Sequence, residues 1–200
     1  MRDAGWDDVP DHLSRDLSAD QAWSHARLLL GQICIRPWRE RYAHLRPLCH
    51  PVYAGTTEPG RHAAQVVVAS GSSYQSIDDL EGARVAVNDM GSNTGYTLLE
   101  EITGPIDRWA GGIVITGSHH NSLAALSRGE AQVASIDEIS FRMIEQAEPE
   151  LTNACRTIAQ TRKSVTPPFV AGPWLSVEER AILREILQAL IPHRPVESDG

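Results

Sequence analysis

The chain has 200 residues, a formal net charge of −8 at pH 7 and a pI near 5.4. Its composition is ordinary for a globular protein, with 42% hydrophobic and 22% charged residues, and the length suits one large domain or two small lobes. The acidic balance argues against a nucleic-acid or anionic membrane surface as partner, although helix N-termini and a few side chains can still bind a small anion.

The N-terminal third is predicted to contain short elements only. Its first residues lack the apolar region of a secretory signal, and no run approaches the ~18–20 apolar residues of a membrane span. Ser18 and Gln21 have the spacing of a capping box, which predicts a short helix after Ser18. The other expected elements are a strand at 28–35, helical turns at 38–43, an extended segment at 45–53 and a strand at 63–69.

Strands and helices are predicted to alternate between residues 84 and 160. The strands are expected at 84–88, 112–116, 131–136 and 156–160, and the helices at 94–102, 122–128 and 140–147. This alternation predicts βαβ units and a largely parallel sheet with helices on both faces. A capping box at Ser176 and Glu179 then begins an amphipathic helix that Pro192 ends, and the last eight residues are expected to be frayed.

Ligands of open α/β sheets bind outside the carboxyl ends of the strands. This rule selects three loops, at residues 89–95, 117–121 and 137–140, because each follows a predicted strand and precedes a predicted helix. We therefore expect the three loops to lie side by side and to form the binding site of the protein.

The first of these loops, at residues 89–95, has the composition of an anion-binding loop. It leads from an apolar strand into a helix, so it would present free backbone N–H groups to an anion. Ser92, Asn93 and Thr94 can add side-chain donors, and glycines such as Gly95 let the backbone come close to a ligand. The alternative is an ordinary helix N-cap. The loop matches neither GxxxxGK[ST] nor GxGxxG, so nucleotide binding is not indicated.

Other polar residues near these loops could suggest enzymatic or metal sites, but simpler interpretations are favoured. Adjacent histidines such as His119 and His120 seldom bind one metal ion, and we expect His120 on the surface. No GxSxG motif supports a hydrolase. Asp137 and Glu138 would point apart on a strand, so we expect one in the site and the other in solvent.

Three segments resemble one protein family in order and spacing. Residues 76–88, SIDDLEGARVAVN, are similar to the S-x-x-D-L-x-G-x-x-V-A start of the family's second lobe, and residues 91–95, GSNTG, resemble its S-x-[ST]-G anion loop. Residues 116–119, TGSH, and 129–137, GEAQVASID, resemble a third block. The family is the phosphate, phosphite and phosphonate substrate-binding proteins of ABC importers, and the resemblance extends over residues 28–190.

The resemblance implies a two-lobed α/β fold of the type II periplasmic-binding class, with mostly parallel sheets and flanking helices. One lobe would comprise residues 1–82 and 162–200, truncated at the N-terminus so that its first strand is missing. Residues 83–161 would form the other lobe and carry the anion-binding loops. The chain would cross between lobes at hinges near residues 80–84 and 160–165.

The resemblance also implies a set of ligand contacts. His119 would donate to one oxygen of the anion, and Asp137 would accept from a protonated oxygen or orient the histidine. Arg36 stands where many family members place an aromatic contact, so it would be either a cationic contact or a solvent-exposed side chain. The candidate ligand-binding residues are Ser92, Asn93, Thr94, Gly95, His119, Asp137 and Arg36.

The function implied is the binding of a small tetrahedral oxyanion for an ABC importer, without catalysis and without a cofactor or metal. An ABC permease would be the protein partner, with neither nucleic-acid binding nor direct membrane insertion. The alternatives are a cytoplasmic enzyme of the menaquinone-biosynthesis type on the same fold, or a sensor-type binding module. A longer native chain would be periplasmic or otherwise extracytoplasmic, and a chain that begins at Met1 would be cytoplasmic.

Overall fold

The computed structural model of the chain describes residues 9–14, 16–54, 56 and 58–195. Its strands are β1 (Gly31–Gln32), β2 (Arg46–Pro51), β3 (Arg61–His62), β4 (Ala64–Ala69), β5 (Arg84–Val87), β6 (Gly112–Ile115), β7 (Val133–Asp137), β8 (Cys155–Gln160), β9 (Ser164–Val165), β10 (Phe169–Ala171) and β11 (His193–Pro195). Its α-helices are α1 (Ala19–Trp23), α2 (Ile35–Glu40), α3 (Leu98–Thr103), α4 (Ile106–Trp109), α5 (His119–Ser127), α6 (Glu138–Ala147), α7 (Pro149–Asn153) and α8 (Val177–Leu190). A 3₁₀ turn at Ile77–Leu80 and a π-helical turn at Asn93–Thr97, which continues into α3, are also described.

The chain forms two compact units. Unit 1 comprises Met1–Gly60 and Val165–Gly200, and unit 2 comprises Arg61–Ser164. Residues 61–82 therefore group with unit 2, whereas the sequence analysis assigned them to the other lobe. The reason is that β4 pairs with β7 on one side and with β8 on the other. Such long-range pairing is not visible in the local sequence of a strand.

Unit 2 is built on a five-stranded sheet with the order β6-β5-β7-β4-β8. Strand β5 is parallel to β6 and β7, whereas β4 is antiparallel to both β7 and β8. Four of the five strands of this sheet therefore run in one direction, as the predicted βαβ pattern indicated, and β4 is reversed. As a consequence, the N-terminal end of β4 lies at the same edge as the carboxyl ends of β5, β6 and β7.

Helices cover both faces of the unit 2 sheet. Successive side chains of a strand point to opposite faces, and the two apolar clusters follow this alternation. Val66 and Val85 pack with Leu99 of α3 on one face. Val67 packs with Leu123 of α5 on the other face. Burial on both faces stabilises the strands and thereby holds the loops at their ends in position.

Unit 1 contains a four-stranded sheet with the order β1-β10-β2-β11, and its three pairings are all antiparallel. The expectation of mostly parallel strands therefore applies to unit 2 and not to this sheet. The segment His193–Pro195 pairs with β2, so the expectation of fraying from residue 193 onward was wrong for these residues. Residues 196–200 lie outside the described part of the chain.

The predicted strand at residues 28–35 is largely wrong. Gly31–Gln32 does form β1, but Cys34 is the N-cap of α2, which begins at Ile35. Pro37 lies in the first turn of this helix. A proline is tolerated there because the N–H that it lacks would have had no acceptor within the helix. The sequence analysis expected a strand as far as residue 35, just before this proline.

Helix α8 begins at the predicted capping box. Ser176 Oγ accepts a hydrogen bond from Glu179 N at 3.1 Å, and Glu179 Oε2 accepts one from Ser176 N at 2.7 Å. The helix packs Leu183 and Leu187 against Leu48 of β2. In the described part of the chain, no helix combines the length and the apolar character needed to cross a bilayer.

Replacement of Ser176 by alanine should measure the contribution of this cap. Ser176→Ala is expected to lower the free energy of unfolding by about 1 kcal/mol, because the Glu179 N–H loses its acceptor. Urea unfolding of the variant beside the wild type measures the difference. An unchanged unfolding midpoint would show that the cap does not stabilise α8.

Candidate functional site

The candidate site lies at one edge of the unit 2 sheet. The loops that follow β5, β6 and β7 meet there because these strands are adjacent and parallel, as the sequence analysis expected. The reversed strand β4 adds the residues that precede it. Ala64 pairs with Asp137, so His62 lies two residues before the partner of Asp137.

The loop after β5 ends in a capped helix N-terminus. Ser92 is the N-cap of the π-helical turn, and its Oγ accepts a hydrogen bond from Gly95 N at 3.0 Å. Ser92 and Thr94 are both buried. The N–H groups of Asn93 and Thr94 lie in the first turn, where a helix offers no acceptor for them. They are therefore placed to bind an anion at this end of the helix.

Two side-chain contacts hold this loop against the rest of unit 2. Ser135 Oγ of β7 donates to the Thr94 carbonyl oxygen at 2.6 Å. Asn93 Nδ2 donates to Ser164 Oγ at 3.0 Å. One amide hydrogen of Asn93, which the sequence analysis assigned to the ligand, is thus already used within the protein.

Gly95 is the position that the sequence analysis linked to close approach of the backbone. A Cβ atom here would lie 1.7 Å from Asn88 Oδ1 and 3.1 Å from Ser92 Oγ. The Asn88 oxygen is shielded from solvent and makes no hydrogen bond in the described part of the chain. A side chain at position 95 would therefore fit only if the Asn88 side chain moved.

His119 is the first residue of α5, three residues before the predicted start of this helix. Ser118 is the N-cap, and its Oγ accepts a hydrogen bond from Asn121 N at 3.1 Å. His119 Nε2 lies 3.4 Å from Thr94 Oγ1, so the structure brings this histidine together with the loop after β5. Its Nδ1 atom is shielded from solvent and has no hydrogen-bond partner among the described residues.

Burial lowers the pKa of the His119 imidazole. The charge of Asp137 acts to raise this pKa, and His62 acts to lower it further. The net result is a pKa of His119 below its usual value. A neutral imidazole carries one N–H donor and one acceptor nitrogen. His119 can therefore donate one hydrogen bond to an oxyanion without supplying a positive charge.

Asp137 is the N-cap of α6 and also contacts His62. Its Oδ1 accepts hydrogen bonds from Ile139 N and Ser140 N, each at 2.9 Å, and its Oδ2 contacts His62 Nδ1. Both partners are buried, with 7% of Asp137 and 3% of His62 exposed. Burial acts to raise the pKa of Asp137. The hydrogen bond and charge of His62, followed by Ser140 N–H and His119, outweigh burial and lower it.

The sequence analysis missed His62 and was wrong about Glu138. Glu138 was expected in solvent, opposite Asp137, but it is 5% exposed and its Oε1 accepts a hydrogen bond from Ala63 N at 3.0 Å. The alternation expected for a strand fails because α6 begins at Glu138. Nothing in the local sequence of His62 marks it, because its place in the site depends on the direction of β4.

Two residues of the sequence analysis remain: the candidate Arg36, and His120, which was expected on the surface. Arg36 belongs to unit 1, where its Nε donates to Glu40 Oε1 of the same helix at 3.0 Å. His120 is partly exposed, with 43% of its side chain accessible to solvent, and its Nε2 lies 3.1 Å from Glu148 Oε2. Across residues 9–195, leaving aside the positions that the structure does not describe, no group of three His, Cys, Asp or Glu side chains could hold a metal ion.

Residues 30–197 match the family model described as "ABC transporter, phosphonate, periplasmic substrate-binding protein". This match covers well over half of the chain, and it includes every residue of the edge described above. No match to the chain was found among curated proteins.

Several solved structures resemble the chain. A binding protein component of an ABC phosphonate transporter from Pseudomonas aeruginosa superposes with a TM-score of 0.69 at 17% identity, over 80% of this chain and 56% of its own. XAC2383 from Xanthomonas citri, solved bound to ATP, superposes with a TM-score of 0.64 at 17% identity, over 80% of this chain and 68% of its own. PhnD1 from Prochlorococcus marinus, solved in complex with methylphosphonate, superposes with a TM-score of 0.58 at 14% identity, over 74% of this chain and 56% of its own.

These likenesses establish the fold. The type II periplasmic-binding α/β fold predicted from the sequence is confirmed. The chain spans little more than half the length of the Pseudomonas aeruginosa protein that it matches.

Proposed function

Because the chain belongs to the family of periplasmic substrate-binding proteins of phosphonate ABC transporters, we propose that its unit 2 binds a small tetrahedral oxyanion. The anion is phosphate, phosphite or a phosphonate. The protein delivers it in the periplasm to an ABC importer, whose permease is the partner. Binding occurs without catalysis. The enzyme alternative is not favoured, because the family consists of solute-binding proteins.

The observation that carries the proposal is the convergence of hydrogen-bond donors at one edge of the sheet. Thr94 Oγ1 and His119 Nε2 lie within hydrogen-bond distance of each other, at 3.4 Å, and one of the two donates to the other. Both groups lie next to the helix N-terminus that begins after Ser92, where an anion can accept from the donor that remains. An oxyanion has several oxygens and requires several donors that point to one place. A hydrogen bond to a charged group contributes about 1.5–3 kcal/mol. Roughly four or five such bonds would support micromolar binding after the costs of association.

Thermal unfolding against a panel of anions tests the proposal. The panel contains phosphate, phosphite, methylphosphonate, aminoethylphosphonate and sulfate, with an aromatic carboxylate as the control. A ligand at about 100 times its dissociation constant stabilises the folded state by about 2.7 kcal/mol, which is a clear shift in Tm. A shift with a phosphorus oxyanion supports the proposal. A cooperative transition that none of the anions shifts would contradict it.

Single substitutions test which residues bind the anion. Ser92→Ala and His119→Ala are each expected to weaken binding by about tenfold or more, through the loss of one hydrogen bond to a charged ligand. Isothermal titration calorimetry measures the change, with the anion that gives the largest Tm shift.

Two control variants separate binding from folding. Ser176→Ala removes a comparable helix cap in unit 1, and His120→Ala removes the partly exposed neighbour of His119; both should leave the affinity unchanged. Wild-type affinity in both site variants would show that the anion binds elsewhere.

A further inference from the structure

We propose that Ser135 is a positioning residue of the oxyanion site, which sets the affinity for the anion by fixing the peptide unit between Thr94 and Gly95 and does not touch the anion itself. The inference rests on the proposed function and deepens it. It assigns a role in binding to a residue of the sheet interior, outside the set of candidate ligand-binding residues.

Ser135 is a polar residue in an apolar face of the unit 2 sheet. It lies in β7 opposite Val66 of β4 and is 1% exposed. Its side chain shares a face with that of Val133, which packs in one apolar cluster with Val66 and Leu99. A hydroxyl enclosed in this way costs free energy unless it is hydrogen-bonded. Alanine would fill nearly the same space without that requirement, so the hydroxyl indicates a role other than packing.

Two serine hydroxyl groups hold one peptide unit of the anion-binding turn. The Thr94 carbonyl oxygen accepts a hydrogen bond from Ser135 Oγ at 2.6 Å, and Gly95 N donates to Ser92 Oγ at 3.0 Å. The carbonyl and the N–H belong to the same planar peptide unit, so the two bonds together fix its orientation. Ser92 is part of the turn, whereas Ser135 is part of the sheet. The hydrogen bond of Ser135 therefore ties the turn to the core of unit 2.

The turn that Ser135 holds has the hydrogen bonds of a π-helix. Thr97 N donates to the Ser92 carbonyl oxygen at 3.1 Å, and Leu98 N donates to that of Asn93, so each bond spans five residues. Such turns are rare and occur mostly at functional sites. This one carries the N–H groups of Asn93 and Thr94 that are proposed to bind the anion. A change in the geometry of the turn would move those donors relative to the anion, and binding depends closely on such placement.

Ser135 also lies beside the second group of the site. Burial lowers the pKa of His119, and the Ser135 backbone acts to raise it, which places this imidazole next to β7. His119 Nε2 lies 3.4 Å from Thr94 Oγ1. The hydroxyl of Ser135 has a single hydrogen, which it donates to the Thr94 carbonyl oxygen. Ser135 therefore acts on the anion through Thr94 and has no second hydrogen to donate to the anion.

Removal of the Ser135 hydroxyl should weaken binding without a change in any group that contacts the anion. Calorimetric titration of the 200-residue chain with inorganic phosphate and with methylphosphonate should show about threefold to tenfold weaker binding by Ser135→Ala. The factor should be the same for both probes, because the turn binds the oxygens that the two anions share. Thr152→Val is the matched control. It removes another buried hydroxyl of unit 2, which donates to the Pro149 carbonyl oxygen at 3.1 Å, and it should bind like the wild type.

Amide hydrogen exchange, followed by NMR without any ligand, tests whether Ser135 acts by positioning. The Gly95 N–H should exchange about threefold to tenfold faster in Ser135→Ala than in the wild type, because its peptide unit is no longer held at the carbonyl end. Thr152→Val should leave this rate unchanged. The Glu179 N–H, which donates to the Ser176 cap of α8 at 3.1 Å, is the internal reference and should exchange at the same rate in all three proteins.

The outcomes separate this inference from the proposed function. Wild-type affinity in Ser135→Ala, or an equal loss of affinity in Thr152→Val, would overturn the role of Ser135 while the oxyanion site stands. Weaker binding with an unchanged exchange rate of the Gly95 N–H would indicate direct contact with the anion and would also overturn it. If the wild type binds neither probe, the proposed function fails and this inference fails with it.

Discussion

Asp137→Ala is expected to lower the free energy of unfolding by about 2–4 kcal/mol, because it removes a buried side-chain partner and a helix cap together. The substitution leaves His62, which is 3% exposed, without the carboxylate that contacts its Nδ1. It also removes the acceptor of the Ile139 and Ser140 N–H groups at the start of α6. Urea unfolding at pH 7 measures the loss.

Asp79 offers a matched control for this variant. Its exposed carboxylate also accepts two backbone hydrogen bonds, from Gln75 N at 2.7 Å and Ser76 N at 2.8 Å, without the buried histidine that Asp137 contacts. Asp79→Ala should therefore cost clearly less stability than Asp137→Ala. Equal losses in the two variants would show that the contact with His62 adds nothing to stability.

The pH dependence of stability follows from the same pair. The pKa of Asp137 is lowered in the folded protein, so the unfolded chain binds this proton more tightly. The stabilisation is complete above the unfolded pKa of about 3.9 and is lost as the pH falls toward the lower folded value. The difference in unfolding free energy between wild type and Asp137→Asn should therefore be smaller at pH 3 than at pH 7. An equal difference at both pH values would contradict this assignment.

Gly95→Ala is expected to destabilise the protein by about 2–3 kcal/mol and to abolish measurable anion binding. The added Cβ would stand 1.7 Å from Asn88 Oδ1 and 2.9 Å from Asn88 Cγ. Overpacking of this kind forces side chains and backbone to shift. Because Gly95 N donates to Ser92 Oγ, the shift would also disturb the capped N-terminus that is proposed to bind the anion. Urea unfolding and phosphate titration measure the two effects.

Two further variants show whether the overlap with Asn88 is the cause. Gly71→Ala adds a Cβ that meets nothing within 4 Å, so its stability should remain within about 0.5 kcal/mol of the wild type. Asn88→Ala combined with Gly95→Ala removes the overlapping atoms and should recover part of the stability lost in Gly95→Ala. No recovery in the combined variant would place the cause elsewhere in the loop.

Much of unit 2, and two helix starts of unit 1, could be predicted from the sequence because their signals are local. The apolar runs around Val85 and Val133 became β5 and β7, and the capping residues Ser18 and Ser176 begin α1 and α8 as expected. When strand and helix patterns alternate along the chain, neighbouring strands are predicted to be parallel. The loops that follow those strands are then predicted to lie at the same edge of the sheet. The π-helical start at Asn93 was not predicted, since its pattern of polar residues is that of any helix N-terminus.

The errors fall where local pattern and tertiary context disagree. The apolar residues around Leu28 and Ile35 suit a strand or a buried helix equally well, and Pro37 is compatible with the end of one and the first turn of the other. The segment His193–Pro195 is polar, and it forms β11 because β2 offers it an edge with which to pair. No property of these three residues alone predicts that pairing.

The sequence by itself determined the alternation of strands and helices in unit 2, the family and the polar loop with Ser92 and Thr94, because composition and spacing along the chain carry those signals. Only the tertiary structure decided the direction of β4 and, through it, the contact between His62 and Asp137. Those two residues are far apart in the chain and meet because a reversed strand places its N-terminal end beside the carboxyl ends of its neighbours. Strand direction is set by where the chain enters the sheet and by which strands it pairs with, and neither is written in the residues of the strand itself.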